Sequence, residues 1–140
     1  MLQLRDGTLL CTSYAWAPFQ PDAIAKLKQP VARAGNFVFL GGYLMRSRDN
    51  GRSWAGPIIP PPCQGEFNLD PFGHTIPAYN RGAMCEGRDG RLYWVVAAGS
   101  KNSPDKTGTH LLISSDKGDT WNYSCAVAQD PKVTFNETSL

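Results

Sequence analysis

The sequence predicts an all-β chain, and three observations carry that expectation. Glycine and proline number 14 and 11 among 140 residues and fall between short runs of apolar or aromatic residues, not in one linker. Those runs, "TLLCTSYAW", "NFVFLGGYLM", "RLYWVVAAG" and "THLLISS", are rich in β-branched and aromatic side chains and have the length of strands. An eight-residue stretch also occurs twice: "SRDNGRSW" (Ser47, Asp49, Gly51, Trp54) returns as "SSDKGDTW" (Ser114, Asp116, Gly118, Trp121), offset by 67 residues from Ser47 to Ser114. A residue pattern that recurs at fixed spacing is the mark of a repeated structural unit.

Taken in order, unit one reads as strands "LQLR", "TLLCTSYAW", "NFVFLGGYLMRS" and "SWAGPIIP". Asp6-Gly7 joins the first two as a two-residue hairpin, because glycine accepts positive φ without a Cβ clash. Between the second and third strands, "PDAIAKLKQPVARA" has helical propensity, but Pro21 and Pro30 confine it to about two turns. The box closes the third strand onto the fourth. Its aspartate accepts backbone N–H groups, its serine adds a hydroxyl bond, its glycine takes the strained conformation, and its tryptophan buries a ring against the neighbouring sheet. Unit two repeats the scheme with "GAMCEGR", "RLYWVVAAG", "THLLISS" and "TWNYSCAVA", its hairpin at Asp89-Gly90. A third unit opens at "VTFNETSL".

Four-stranded units in series, each burying one face on the next, are the organisation of a β-propeller. The expected layout is a first blade at about 1–62, a connecting loop at about 63–79, a second blade at about 80–129 and the start of a third at about 130–140. Two blades and a first strand do not close a ring. The chain is therefore expected to be part of a longer polypeptide whose remaining blades are its partners.

Composition narrows the function classes. A formal charge of +2 spread along the chain, with Arg46, Arg48 and Arg52 as its one close basic group, advertises no nucleic-acid surface. No run of eighteen apolar residues exists, so no membrane insertion is expected. Cys11, Cys63, Cys85 and Cys125 are too scattered for paired metal knuckles, and the two histidines lack zinc-ligand spacing, so neither a metal nor another cofactor is expected. Two disulfides remain open, with four buried thiols the favoured reading.

The S-x-D-x-G-x-[ST]-W pattern, present twice in matching strand context, resembles the Asp-box repeat of sialidases and sialidase-like glycosidases. That resemblance covers essentially the whole chain and implies a six-bladed fold of which the chain holds the first third. It also implies an exo-glycosidase acting on a terminal sugar of a glycan, a sialoside-like substrate, and a secreted or periplasmic location. In that family a tyrosine is the nucleophile, a glutamate activates it, an aspartate serves as acid and base, and three arginines grip the substrate carboxylate.

Glu137, in "FNETSL", has the placement of the activating glutamate, and Asp22 falls where the acid/base aspartate lies, between the second and third strands of the first blade. Arg81, in "YNRGAM", starts an inner strand and suits an anionic glycan. The loop "PPPCQGEFNLDPFGHTIPAYN" offers Asp70 and His74 as substrate contacts, with Phe67, Phe72 and Tyr79 as a wall. The family's first arginine motif, Arg-Ile-Pro, is expected before Met1, and the position of the second arginine reads "SYAWAP". The tyrosine and the last arginine belong to later blades. Asp boxes also occur in propellers without glycosidase activity, so a non-catalytic propeller that binds glycans or proteins is the competing reading.

Overall fold

The computed structural model describes residues 1–26, 33–63, 74–80, 83–99 and 106–135. Among the described residues the chain is all-β with one short helix. A first antiparallel sheet holds β1 (Leu2–Gln3), β2 (Leu9–Pro18), β3 (Arg33–Ala34), β4 (Phe37–Ser47) and β5 (Ala55–Ile58). Its order is β1-β2-β4, with β3 and β5 both pairing β4, β3 at Phe37 and Val38 and β5 at Leu44 and Arg46. The second sheet, β6 (Met84–Glu86), β7 (Leu92–Gly99), β8 (Thr107–Ser114) and β9 (Asn122–Ala128), is a four-stranded antiparallel meander. The helix α1 (Pro21–Ala25) is the single turn that the flanking prolines allow.

The expected strands of both units are present, β1, β5 and β6 shorter than expected, and β3 was not foreseen. The hairpins also differ from expectation. Leu4 N–H donates to Thr8 O at 2.8 Å and Gly7 N–H to Leu4 O at 2.9 Å, which makes Arg5-Asp6-Gly7 a three-residue loop. Gly87 and Arg91 frame Arg88-Asp89-Gly90 in the same way. Each aspartate spares itself positive φ by accepting a backbone N–H two residues on, from Thr8 at 3.0 Å and from Arg91 at 3.1 Å. Only the glycine turns left-handed, at φ +90° for Gly7 and +79° for Gly90.

The two sheets stack face to face. Leu4, Leu10 and Leu44 from the first meet Met84, Leu92, Trp94, Val96, Leu112 and Trp121 from the second in one buried cluster. Alternation along the strands turns Leu10 of β2 and Leu92, Trp94 and Val96 of β7 toward this contact and leaves Leu9, Cys11 and Tyr93 on the outer faces. The second box docks on the first sheet: a Cβ placed on Gly118 would sit 3.3 Å from Leu10 Cδ2, Asp119 ion-pairs with Arg46, and Lys117 Nζ reaches Asp6 at 2.5 Å.

Two expectations fail. Trp54 leaves 39% of its surface in water, whereas Trp121 leaves 6%. The four cysteines are free thiols, but of these only Cys63 is buried; Cys85 and Cys125 are exposed, because they fall on sheet positions that face outward. Where a third unit was expected, residues 129–135 form no strand, although Phe135 is tied to Thr107 through its N–H at 2.9 Å and its carbonyl at 2.7 Å.

Candidate functional site

The strand registers show which connections leave each end of the sheets. Leu9 opposes Ser47 and Leu92 opposes Ser114, so the three-residue hairpins and both Asp boxes share one end. Pro18 opposes Phe37 and Gly99 opposes Thr107 at the other. The β2–β3 connection, which holds Asp22, and the β5–β6 connection, which holds Asp70, His74 and Arg81, run from that far end. Glu137 follows β9, which also finishes there.

At the box end the chemistry is closed upon itself. Ser47 Oγ accepts the Gly51 N–H at 2.8 Å and donates to Asp49 Oδ1 at 2.8 Å. Asp49 takes the Ser53 N–H at 2.9 Å and the Ser53 hydroxyl at 2.6 Å. The second box copies these four bonds: Ser114 Oγ accepts the Gly118 N–H at 2.9 Å and donates to Asp116 at 2.8 Å, and Asp116 accepts from Thr120 at 2.9 and 2.5 Å. Consecutive left-handed residues, Asn50 and Gly51 at φ 58° and 83°, Lys117 and Gly118 at 60° and 85°, complete both turns.

These bonds hold both carboxylates in the charged form. Asp49 is lowered to about 2 by the Ser53 hydroxyl and N–H and by Ser47. For Asp116, burial pushes upward as the largest single influence, yet the bonds from Thr120 and Ser114 together outweigh it and bring it to about 2. A carboxylate fixed this way is a poor proton carrier at neutral pH.

The far end is built differently. A β-bulge after Ala15 brings Trp16 opposite Phe39, so Tyr14, Trp16 and Phe39 line one face. The segment 74–80 crosses that face. Its backbone approaches at Gly41 and Gly42, where Gly42 N–H donates to Pro77 O at 3.1 Å and any Cβ would fall on the Ala78 carbonyl. Tyr79 bridges to Ala97 of the second sheet and stacks edge-on with Phe39 at 4.7 Å and Tyr14 at 5.6 Å. Trp16 lies 4.9 Å from Phe39 and remains 41% exposed. The result is an aromatic ledge at the junction of the two sheets, and Tyr79, expected as a pocket wall, belongs to it.

His74, at the start of this segment, is exposed. Asp22 lies on α1, exposed and 3.6 Å from Lys26. Asp70, Arg81 and Glu137 lie outside the described residues, as do Phe67 and Phe72. Asn80 and Ala83, on either side of residues 81–82, are buried, and Ala83 O accepts Val95 N–H at 2.8 Å, which continues the pairing along β7. Tyr14, Trp16 and Phe39 were missed as candidates. The signal for them is aromatic alternation at Tyr14 and Trp16 and at Phe37 and Phe39, which reads equally well as an ordinary strand. Among the described residues no cluster of three metal-ligating side chains exists, and no helix is long and apolar enough to cross a membrane.

No family model matches the chain, and no curated protein matches it. A crystal structure of a protein of unknown function from Dyadobacter fermentans is similar, with 58% sequence identity over 99% of this chain and a TM-score of 0.89. The chain spans 38% of that protein's length.

Proposed function

We propose that the chain is part of a sialidase-like β-propeller that hydrolyses a terminal, sialoside-like sugar from a glycan. The observation that carries this reading is the division of labour between the two ends. Both Asp boxes, self-satisfied and recurrent, occupy one end, while Asp22 and His74, the candidates among the described residues, fall in connections of the other. The greater length of the Dyadobacter fermentans protein is consistent with further sheets in the same polypeptide.

In this reading Arg81 binds the substrate carboxylate, and Asp70 and His74 contact the sugar. Glu137 activates a tyrosine carried by the remaining blades, Asp22 donates the proton to the leaving group, and the two sheets by themselves are inactive. The substrate places the protein outside the cytoplasm, secreted or periplasmic. The test is release of a fluorogenic reporter from a sialoside by the full polypeptide. Loss of turnover in Glu137→Gln with an unchanged thermal melt supports the assignment, and unchanged turnover removes Glu137 from the mechanism.

A second reading, a non-catalytic propeller that binds glycans, draws on the aromatic ledge. Exposed Trp16 beside Phe39 and Tyr79 is a surface on which the apolar face of a pyranose stacks, and such stacking needs no acid or base. Saturable binding of a sialoside by a polypeptide that never turns it over selects this reading.

A further inference from the structure

The two boxes share a turn, but the residue before its glycine differs. Asn50 and Gly51 stand where the second box has Lys117 and Gly118, with φ of 58° and 83° against 60° and 85°. In each turn the serine hydroxyl accepts the glycine N–H, at 2.8 Å for Ser47 and 2.9 Å for Ser114. Asn50-Gly51 is the single Asn-Gly pair in the sequence. An asparagine followed by glycine carries its own electrophile and nucleophile, the side-chain carboxamide and the next backbone nitrogen, and glycine has no Cβ to crowd that nitrogen. A lysine at the same position offers no carbonyl carbon to attack.

Asn50 is exposed, so water reaches it. That exposure belongs to the turn and does not depend on whether a further sheet lies beneath the box. Lys117, its counterpart, keeps 61% of its side chain in water although its own box is docked on the first sheet. What restrains Asn50 is the nitrogen beside it. The Gly51 N–H is committed to the hydroxyl of Ser47, itself 1% exposed. Closing a five-membered ring requires the Asn50–Gly51 peptide to rotate about the Asn50 Cα–C bond, and that rotation takes the N–H off Ser47.

We propose that Asn50 is a site of spontaneous covalent modification and that Ser47 gates it. When the turn opens, the Gly51 nitrogen loses its proton to water and bonds to Asn50 Cγ, and the side-chain nitrogen leaves as ammonia. Water then adds to one of the two carbonyls of the resulting succinimide. Addition at Cγ breaks its bond to the Gly51 nitrogen and leaves aspartate; addition at the backbone carbonyl breaks the original peptide bond and leaves isoaspartate. The net change is an amide and water giving an acid and ammonia, with nothing oxidised or reduced.

Both products act on the same turn. Asn50 lies inside the loop closed by Ser47 with Gly51 and inside the one closed by Asp49 with Ser53. Isoaspartate adds one backbone atom to each loop, so neither bond reforms as it was. Aspartate keeps the chain length and sets a second carboxylate beside Asp49. The first box thereby keeps a permanent record of having opened, which the second box, with Lys117, cannot make. The proposal is independent of any glycan chemistry.

The test is peptide mapping of the full polypeptide during incubation at mildly alkaline pH, with the tryptic peptide of residues 49–52 resolved into its asparagine, aspartate and isoaspartate forms. Conversion in the native protein is expected to be much slower than in the same protein unfolded in urea. Ser47→Ala is expected to convert about tenfold faster than the parent, the net worth of an ordinary hydrogen bond expressed as a rate. Ser114→Ala removes the same bond from the other turn and is expected to leave the Asn50 rate unchanged. A native parent that converts as fast as the unfolded chain, or a Ser47→Ala variant no faster than the parent, overturns the gate. Equal acceleration by Ser114→Ala assigns the rate to global unfolding and overturns it as well. If Ser47→Ala does not fold, the parent alone decides. Its rate is expected to stay level at low urea concentration, since opening one turn exposes little surface, and a rate that climbs with the full unfolding slope contradicts the proposal.

Discussion

The two Asp boxes have the same turn and different surroundings. Their hydrogen bonds agree to about 0.1 Å, and their left-handed residues agree to within a few degrees in φ. Their tryptophans do not agree. Trp121 is buried, stacked edge-on with Trp94 at 5.3 Å, its indole N–H without a partner among the described residues. Trp54 lies over its own turn and donates to Gly51 O at 3.1 Å. The turn is therefore local chemistry, complete within eight residues, and the ring is tertiary chemistry that depends on whether a neighbouring sheet is there to receive it. A box identifies a position in the fold, and packing decides what that position contributes.

Substitutions separate these two contributions. The largest difference is expected at the rings. Trp121→Ala opens a cavity between the sheets and costs about 3–5 kcal/mol, whereas Trp54→Ala costs about 1–2 kcal/mol, since 39% of its surface is already in water. Urea unfolding with equal slopes for both variants measures this, and equal costs would break the distinction. Gly42→Ala comes next, at about 3 kcal/mol, because its methyl displaces the Ala78–Tyr79 segment from the first sheet. Hydrogen exchange is expected to rise at Tyr79 and Ala97 and to stay unchanged at Gly51 and Gly118.

Smaller and equal effects are expected at the serines. Ser47→Ala and Ser114→Ala each remove a buried hydroxyl that bonds both the glycine N–H and the aspartate, and each costs about 1–2 kcal/mol. Unequal costs would mean that the second sheet supports its turn from outside.

The smallest effects are expected with pH, and two windows follow, in both of which stability is lost as pH falls. The box carboxylates, depressed from 3.8 to about 2, add stability that is present above 3.8 and lost as pH falls through about 2. His110, buried beside Tyr123 with both ring nitrogens unpartnered among the described residues, is held below 6.5 by burial. The unfolded chain takes up that proton first, so the stability His110 allows at neutral pH declines as pH falls below 6.5. Urea midpoints of the parent chain and of His110→Gln are expected to converge on acidification, and parallel curves would remove His110 as the source.

Much of this fold can be read directly from the residues. Short apolar or aromatic runs bounded by turn residues, matched between the two units, locate eight of the strands, and the recurrence of Ser, Asp, Gly and Trp at fixed spacing reveals the repeat. Recurrence also marks Asp49 as a turn residue, since Asp116 repeats it in the second box. Three features were hidden for physical reasons. The hairpins look like two-residue loops because Asp-Gly suits either length, and only the side-chain bond from Asp6 or Asp89 decides. The short strand β3 has two residues and no periodicity to detect. Trp54 carries the same local pattern as Trp121, and no local pattern encodes which sheet has a neighbour.

The candidate site was legible as a set of connections and not as a surface. Asp22 was chosen by the family resemblance and His74 by its place in a long loop, and both lie in connections of the far end. The ledge of Tyr14, Trp16, Phe39 and Tyr79 was not visible, because it depends on a bulge at Ala15 and on the close approach at Gly41 and Gly42.

The central claim is that one end of the sheets holds the fold and the other meets the ligand. Titration of a methyl sialoside into the isotopically labelled chain, followed by amide and indole NMR shifts, tests it most directly. Saturable shifts at Tyr14, the Trp16 indole, His74 and Tyr79, with Gly51 and Gly118 unmoved, are the predicted result. Shifts centred on the two boxes, or none at the aromatic ledge, would contradict it.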